Sequence, residues 1–197
     1  MSSDEFDSCL AQVRACRTCE AHLPLGPRPV VRMAPGARLL IIGQAPGTKV
    51  HESGVPWNDA SGDRLREWLS IDRDVFYDPS KVAIMPMGFC YPGRDPKGGD
   101  LPPRPECAPQ WHDRLLRFLP TIELTLLVGS YAQKQYLAET KSRTMTETVR
   151  DFRKHLDAGY LPTPHPSWRT NAWQKKNPWF DTELLPVLRD RAAALVA

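Results

Sequence analysis

Three short apolar runs limit what this chain can become. Leu39-Leu40-Ile41-Ile42 stops at Gly43, Val82-Ala83-Ile84-Met85 stops at Pro86 and Gly88, and Leu124-Thr125-Leu126-Leu127-Val128 stops at Gly129. Runs this short, with no regular polar alternation and with turn residues at their ends, suit strands covered on both faces. Helix-patterned segments separate them: Leu65, Trp68 and Leu69 after the first run, Glu106 to Leu119 with Trp111, Leu115, Leu116, Phe118 and Leu119 between the second and third, and Tyr131 to Leu137 after the third. Alternating strands and helices imply crossover connections and hence a parallel sheet with helices on both sides. A shorter fourth strand is expected to end near Leu161, before Pro162-Thr163-Pro164-His165-Pro166-Ser167. The expectation is an α/β fold, a three-layer αβα sandwich around a central, mainly parallel four-stranded sheet, with one domain over residues 1–197.

The ends fit this frame. Phe6, Cys9, Leu10 and Val13 recur at three- and four-residue spacing, so Asp4 to Arg17 reads as an amphipathic helix with Cys9 on its core face. Four prolines between Leu23 and Gly36 make that stretch an extended connection. From Asn177 a last helix is expected, broken or kinked at Pro186. The apolar share of 41% allows one sizeable core, and a net charge of +3 permits a nucleic-acid partner without requiring one. No leader-like apolar segment and no run of 18 apolar residues occurs, so the expected setting is cytoplasmic, away from membranes, as a monomer.

In an open α/β sheet the ligand crevice lies beyond the carboxyl ends of the strands. Gly43-Gln44-Ala45-Pro46-Gly47 occupies such a place after the first run. Ten residues past Gly47, Trp57 stands between Pro56 and Asn58 in a polar loop, followed by Asp59-Ala60-Ser61-Gly62-Asp63 and a helix capped by Ser61 or Asp63. Trp57 is either a platform for a flat ligand or a core residue beneath the loop. Among five cysteines, Cys16-x-x-Cys19 forms a pair, and Cys90 and Cys107 flank a loop rich in proline and glycine. Four thiolates suit a four-iron cluster or a tetrahedral zinc ion, and four unligated buried cysteines are the alternative.

Together, Gly43-Gln44-Ala45-Pro46-Gly47, Gly54-Val55-Pro56-Trp57, His165-Pro166-Ser167-Trp168 and the four cysteines resemble the uracil-DNA glycosylase superfamily, most nearly its iron-sulfur-containing bacterial and archaeal members. The resemblance implies a 4Fe-4S cluster on Cys16, Cys19, Cys90 and Cys107, with zinc as the less favoured occupant. It also places Trp57 where the family's uracil-stacking Phe stands, and His165 as the donor to the departing base. Gly43, Ala45, Trp57 and Asn58 become substrate-binding candidates, and uracil-containing DNA the partner. Where the family carries an acidic residue in the first motif, this chain has Gln44 and Ala45. The nearest other acids are Glu52, Asp59 and Asp63, of which Asp59 is preferred, with capping of the helix that follows an equal alternative for it. Gln44 can still hold water or base through its amide. Four residues before Cys90, where the family reads uracil with an Asn, this chain has Pro86. Reading then falls to backbone groups near Met85 to Phe89, or to Asn58.

The chemistry agrees with that resemblance. Base excision requires a flipped nucleotide stacked on an aromatic, and a fixed donor for the negative charge that develops on the leaving base. His165, Gln44 and Asp59 are the catalytic candidates. Between His165 and Phe180, Arg169, Lys175 and Lys176 alternate with three tryptophans and no acid, so Ser167, Trp168 and Arg169 are expected to meet the DNA strand, while Trp179 is expected in the core. The expected activity is hydrolysis of uracil from DNA. The alternatives are another deaminated base, such as hypoxanthine or xanthine, and a catalytically silent DNA-binding or sensing module.

Overall fold

In the computed structural model, which describes residues 2–140 and 143–197, four parallel strands form one sheet in the order β2-β1-β3-β4. They are β1 (Leu39–Ile42), β2 (Val82–Ile84), β3 (Leu124–Val128) and β4 (Tyr160–Thr163). Leu39 is level with Val82 on one side and Leu124 on the other, and Thr125 with Tyr160. Before β2 come helices α1 (Ser3–Arg14), α2 (Thr48–Ser53), α3 (Ala60–Leu69) and α4 (Arg73–Phe76). After it come α5 (Cys107–Leu116), α6 (Ser130–Tyr136), α7 (Met145–Arg150), α8 (Phe152–Leu156), α9 (Thr170–Lys176) and α10 (Leu185–Val196).

The strand alternation divides the core in two. Leu39 and Ile41 of β1 pack with α3, α4, α7, α8 and α10, while Leu40 and Ile42 pack with α1, α5 and α6. Hence the expected three-layer αβα sandwich, with an all-parallel sheet. Cys9 is buried in the second cluster, as the helical spacing indicated. α1 buries Phe6, Leu10 and Val13 beside it, and each such side chain is worth about 1.5–3 kcal/mol. Ser2 and Glu5 cap the start of α1 reciprocally.

Three boundaries differ from the sequence reading. The cap of α3 is Asp59, not Ser61 or Asp63: its carboxylate accepts the Gly62 N–H at 2.8 Å. β4 runs through Pro162 to Thr163, because it is an edge strand, where a missing N–H need not break a ladder. Near the C-terminus, a π-helical turn over Phe180–Leu184 leads into α10, whose first turn holds Pro186. There the proline starts a helix instead of kinking one, since its absent N–H has no intrahelical acceptor at that position.

Candidate active site

With all strands parallel, their carboxyl ends open along one edge, and the order reverses direction between β1 and β3, where open sheets hold ligands. The loops after β1, β2 and β4 meet there around a cleft of about 450 Å³. Gly43 to Gly47, Pro56, Trp57, Asp59, Ser61 and Pro86 line it, together with Gly98 to Asp100, His165 and Ser167 to Arg169. The volume is in the range of small-molecule sites.

Trp57 is the most constrained residue of the cleft. Its φ is +56°, a left-handed conformation uncommon for a bulky side chain. Two glycines make its placement possible. A Cβ on Gly62 would lie 1.7 Å from the Trp57 carbonyl oxygen, and one on Gly43 would lie 2.7 Å from the indole ring. The buried Arg66 donates to the same carbonyl at 3.3 Å. So held, the half-buried indole faces His165, with ring centroids 5.5 Å apart and planes tilted by 33°. It packs on the core at one side and lines the cleft at the other.

Burial lowers the pKa of His165, against the opposing pull of Asp59, so the imidazole is neutral at pH 7. Its backbone is fixed by Thr170 Oγ1, which donates to the His165 carbonyl, and by the Ser167 N–H, which donates to the same oxygen at 2.8 Å. Among the described residues, burial and Asp59 are what act on the ring's titration. Asp59 caps α3 and lines the cleft, close enough to act electrostatically on both His165 and Asp100. Gln44 also lines the cleft, but its amide Nε2 donates to the Leu101 carbonyl at 3.2 Å and its own carbonyl accepts the Gly88 N–H at 2.9 Å. Thus Gln44 joins the first motif to the loop that carries Asp100.

A family model described as the Uracil DNA glycosylase superfamily matches residues 31–189. The chain belongs to the uracil DNA glycosylase superfamily. Members are typically DNA glycosylases, acting on damaged bases in DNA. The match spans the sheet, Trp57, His165, Cys90 and Cys107, and leaves Cys16 and Cys19 outside it. Among the described residues, no helix is long and apolar enough to cross a membrane.

Within this superfamily fold, the backbone N–H groups of the stretch expected to read the base are already engaged. Met85 N–H donates to Ile41 O at 3.0 Å, Met87 N–H to Gly43 O at 2.8 Å, Gly88 N–H to Gln44 O, and Phe89 N–H to Cys107 Sγ at 3.3 Å. Pro86 has no N–H, and its carbonyl accepts from His112 Nε2 at 3.0 Å, while His112 Nδ1 accepts a hydrogen bond from the Tyr136 hydroxyl at 2.6 Å. Burial lowers His112 to a pKa of about 4, consistent with this neutral bridge. Nor does Asn58 reach the cleft: its carbonyl accepts from Arg73 at 2.9 Å.

Ser167, Trp168 and Arg169 stand together at the mouth. Trp168 is 75% exposed, the Arg169 guanidinium lies 5.4 Å from its ring, and Arg169 also rests against Gly98 and Gly99. Arg64 of α3 secures the segment by donating to the Ser167 carbonyl at 2.9 Å and to Asn171 and Gln174. Trp173 and Trp179 instead pack against each other and against Phe180 of the core. Exposure therefore separates Trp168 from the two other tryptophans of the same stretch.

Cys16, Cys19, Cys90 and Cys107 are free thiols lining one small pocket of about 20 Å³. Burial, aided by the neighbouring thiols, raises Cys107 to a pKa of about 12 and Cys90 to about 11. Burial also works against the Cys16 thiolate, but donors at Thr18 and Trp111 bring it below its ordinary value. That indole N–H faces Cys16 without reaching hydrogen-bond distance, and is buried without a partner among the described residues. Four crowded thiols with donors aimed at sulfur fit a cationic, thiolate-bound group, which removes their mutual repulsion. Among the described residues, no three or more Cys, His, Asp or Glu form a group able to hold a single metal ion.

Asp100 and the Gly98-Gly99 turn were not singled out from the sequence. They belong to the loop that the cysteines bracket, and its turn residues, Asp95-Pro96-Lys97-Gly98-Gly99-Asp100, were the available signal.

Proposed function

We propose that this chain is a monofunctional DNA glycosylase that hydrolyses the N-glycosidic bond of uracil flipped out of DNA, leaving an abasic site. One observation carries the reading: an indole fixed between Gly43 and a neutral His165, in a cleft at the strand ends. Uracil stacks on Trp57, and each such stack is worth about 1–3 kcal/mol, similar to the cost of unstacking the base from the duplex. As the bond between C1′ and N1 breaks, its electron pair leaves with the base. His165 then donates a hydrogen bond to the uracil oxygen that gathers the charge. Asp59 contributes negative charge beside the cationic sugar, and Gln44 holds the first motif against the Leu101 loop. Gly43 and Ala45 bound the base, while Ser167, Trp168 and Arg169 meet the strand around the gap it leaves.

In this reading the chain belongs with the iron-sulfur members of the superfamily. Cys16, Cys19, Cys90 and Cys107 would hold a 4Fe-4S cluster, whose service is to pin the N-terminal segment to the loop before α5. The four thiols lining one pocket and the unpartnered Trp111 donor beside Cys16 support a thiolate-bound group, and the resemblance to the iron-sulfur members favours the cluster over zinc.

A second reading, another deaminated base, draws support from the engaged N–H groups of Met85, Met87, Gly88 and Phe89, which leave that stretch unable to donate to the uracil edge. The deciding assay incubates the protein with labelled duplexes carrying uracil, hypoxanthine or xanthine, cleaves abasic sites with alkali and resolves the strands. Scission at uracil supports the first reading, and scission only at another base the second. No scission leaves a DNA-binding module.

A further inference from the structure

We propose that Asp100 is the general base that activates the attacking water, an assignment that rests on the glycosylase reading above. The chain lacks a carboxylate in its first motif, and the structure brings one to the same place from another loop. Gln44 donates to the carbonyl of Leu101, the residue next to Asp100. On the other side, Asp100 Oδ2 lies so near Gly47 that a Cβ there would be 3.3 Å from it. The loop thus meets the motif at Gln44 through Leu101, and the Asp100 carboxylate meets it at Gly47, on the wall of the cleft that holds Trp57 and His165.

Its loop is a built scaffold. Arg94 and Asp100 form an antiparallel bridge, Leu101 N–H donates to Gly93 O at 2.9 Å, and Asp95 N–H donates to Gly99 O at 2.9 Å. Asp59, by contrast, commits a carboxylate oxygen to the α3 cap. Asp100 as a residue is exposed at the cleft mouth, while its carboxylate faces inward. Partial burial raises its pKa, with Asp59 adding and Arg94 opposing. A carboxylate at the mouth meets solvent, from which the water comes, and a raised pKa makes it a better base. In the step, water oxygen bonds to C1′ as the C1′–N1 bond breaks, that bond's electrons leave on uracil N1, and Asp100 accepts the proton lost by water.

The test is single-turnover excision from a uracil duplex by the wild type and by Asp100→Asn, Asp100→Glu and Asp59→Asn, with duplex affinity and melting temperature measured alongside. Positioned general bases contribute about a hundred- to ten-thousandfold, so Asp100→Asn should slow the chemistry by that range while binding the uracil duplex within about twofold of wild type. Asp100→Glu should recover part of the rate. In wild type the rate should fall on the acid side as Asp100 protonates, and Asp100→Asn should lose that limb. The other titratable and charged groups facing it, Arg94, Asp59, Arg169 and the neutral His165, remain in the variant. Wild-type rates in Asp100→Asn overturn the assignment alone, as does a loss matched by weaker binding or a lower melting temperature. A large loss in Asp59→Asn beside an active Asp100→Asn gives the base to Asp59. A wild type that releases no base from uracil, hypoxanthine or xanthine duplexes ends the glycosylase reading and this assignment together.

Discussion

The indole of Trp57 lies beside the imidazole of His165, 5.5 Å between centroids and tilted by 33°, although the two residues arrive from opposite halves of the chain. β1 delivers the glycine beneath the indole and β4 delivers the histidine, and the parallel register brings both loops to one edge of the sheet. Truncating the indole should therefore damage recognition as well as chemistry. Trp57→Ala is expected to weaken binding of a uracil duplex by about 1–3 kcal/mol, the worth of one base stack, with little effect on undamaged duplex. Fluorescence anisotropy on the two duplexes measures it, and equal losses on both would place Trp57 in general strand contact.

Gly62→Ala probes the same platform from behind. A methyl group 1.7 Å from the Trp57 carbonyl must push the loop or α3 aside, and such overpacking costs about 1–3 kcal/mol or more. Urea unfolding should register the loss. Excision should fall with it, because the displaced residue carries the indole.

Arg169 rests on the exposed Trp168 ring and against Gly98-Gly99, at the cleft mouth. Arg169→Ala should weaken DNA binding uniformly across sequences and reduce the slope of log affinity against log salt by about one unit, the signature of one lost phosphate contact. An unchanged slope would mean that its guanidinium serves the loop and not the strand.

The sheet and its order of elements were legible because buried parallel strands leave short apolar runs ending on turn residues, as at Gly43 and Gly129. The motif loops were legible for the same reason, since sequence spacing fixes where the strand ends lie. What escaped was set by tertiary approach. Nothing local marks Gly62 as touching the Trp57 carbonyl, so Ser61 and Asp63 looked as good a cap as Asp59. Asn58 looked like a base reader until Arg73, fifteen residues on, took its carbonyl. Pro162 looked like a stop because its strand's place at the sheet edge is a property of the whole topology.

The cysteine pocket predicts a visible property. Protein purified without oxygen should be brown and contain iron and sulfide, and Cys107→Ser should lose both, since Cys107 joins α5 to the pocket. Colourless protein with one zinc per chain would replace the cluster with a zinc site. Protein with neither metal would return the four thiols to a packing role.

His112 gives a stability signature in acid. Folded, its pKa is held at about 4 by burial, while in the unfolded chain it takes the ordinary value near 6.5. Between those values the unfolded state binds more protons, so stability is full above about pH 6.5 and is lost as pH falls toward about 4. From pH 7 to pH 5 the loss is about 2 kcal/mol from this residue. His155, also depressed by burial, acts in the same direction. Urea unfolding of wild type and His112→Gln at both pH values checks it: the variant should be less stable at pH 7 yet lose less on acidification.

Catalysis should depend most on His165. If the reaction passes through a dissociated sugar cation, barrier lowering concentrates on the leaving base, and among the described residues the histidine lining the cleft is His165, the neutral imidazole beside Trp57. Loss of one preorganised donor costs about a hundred- to a thousandfold, so His165→Ala should fall in that range under single-turnover conditions. Gln44→Ala should lose less, because its amide is spent on Leu101 and acts on the reaction only through that loop. Since burial depresses His165, donation from the neutral ring should persist below the ordinary histidine range as pH is lowered, and protonation should not add a limb near pH 6.5. A wild-type rate that changes near pH 6.5 and becomes flat there in His165→Ala would mean instead that the imidazole titrates freely. A nearly active His165→Ala would reduce it to a loop residue whose work is to hold the turn from β4 to Thr170.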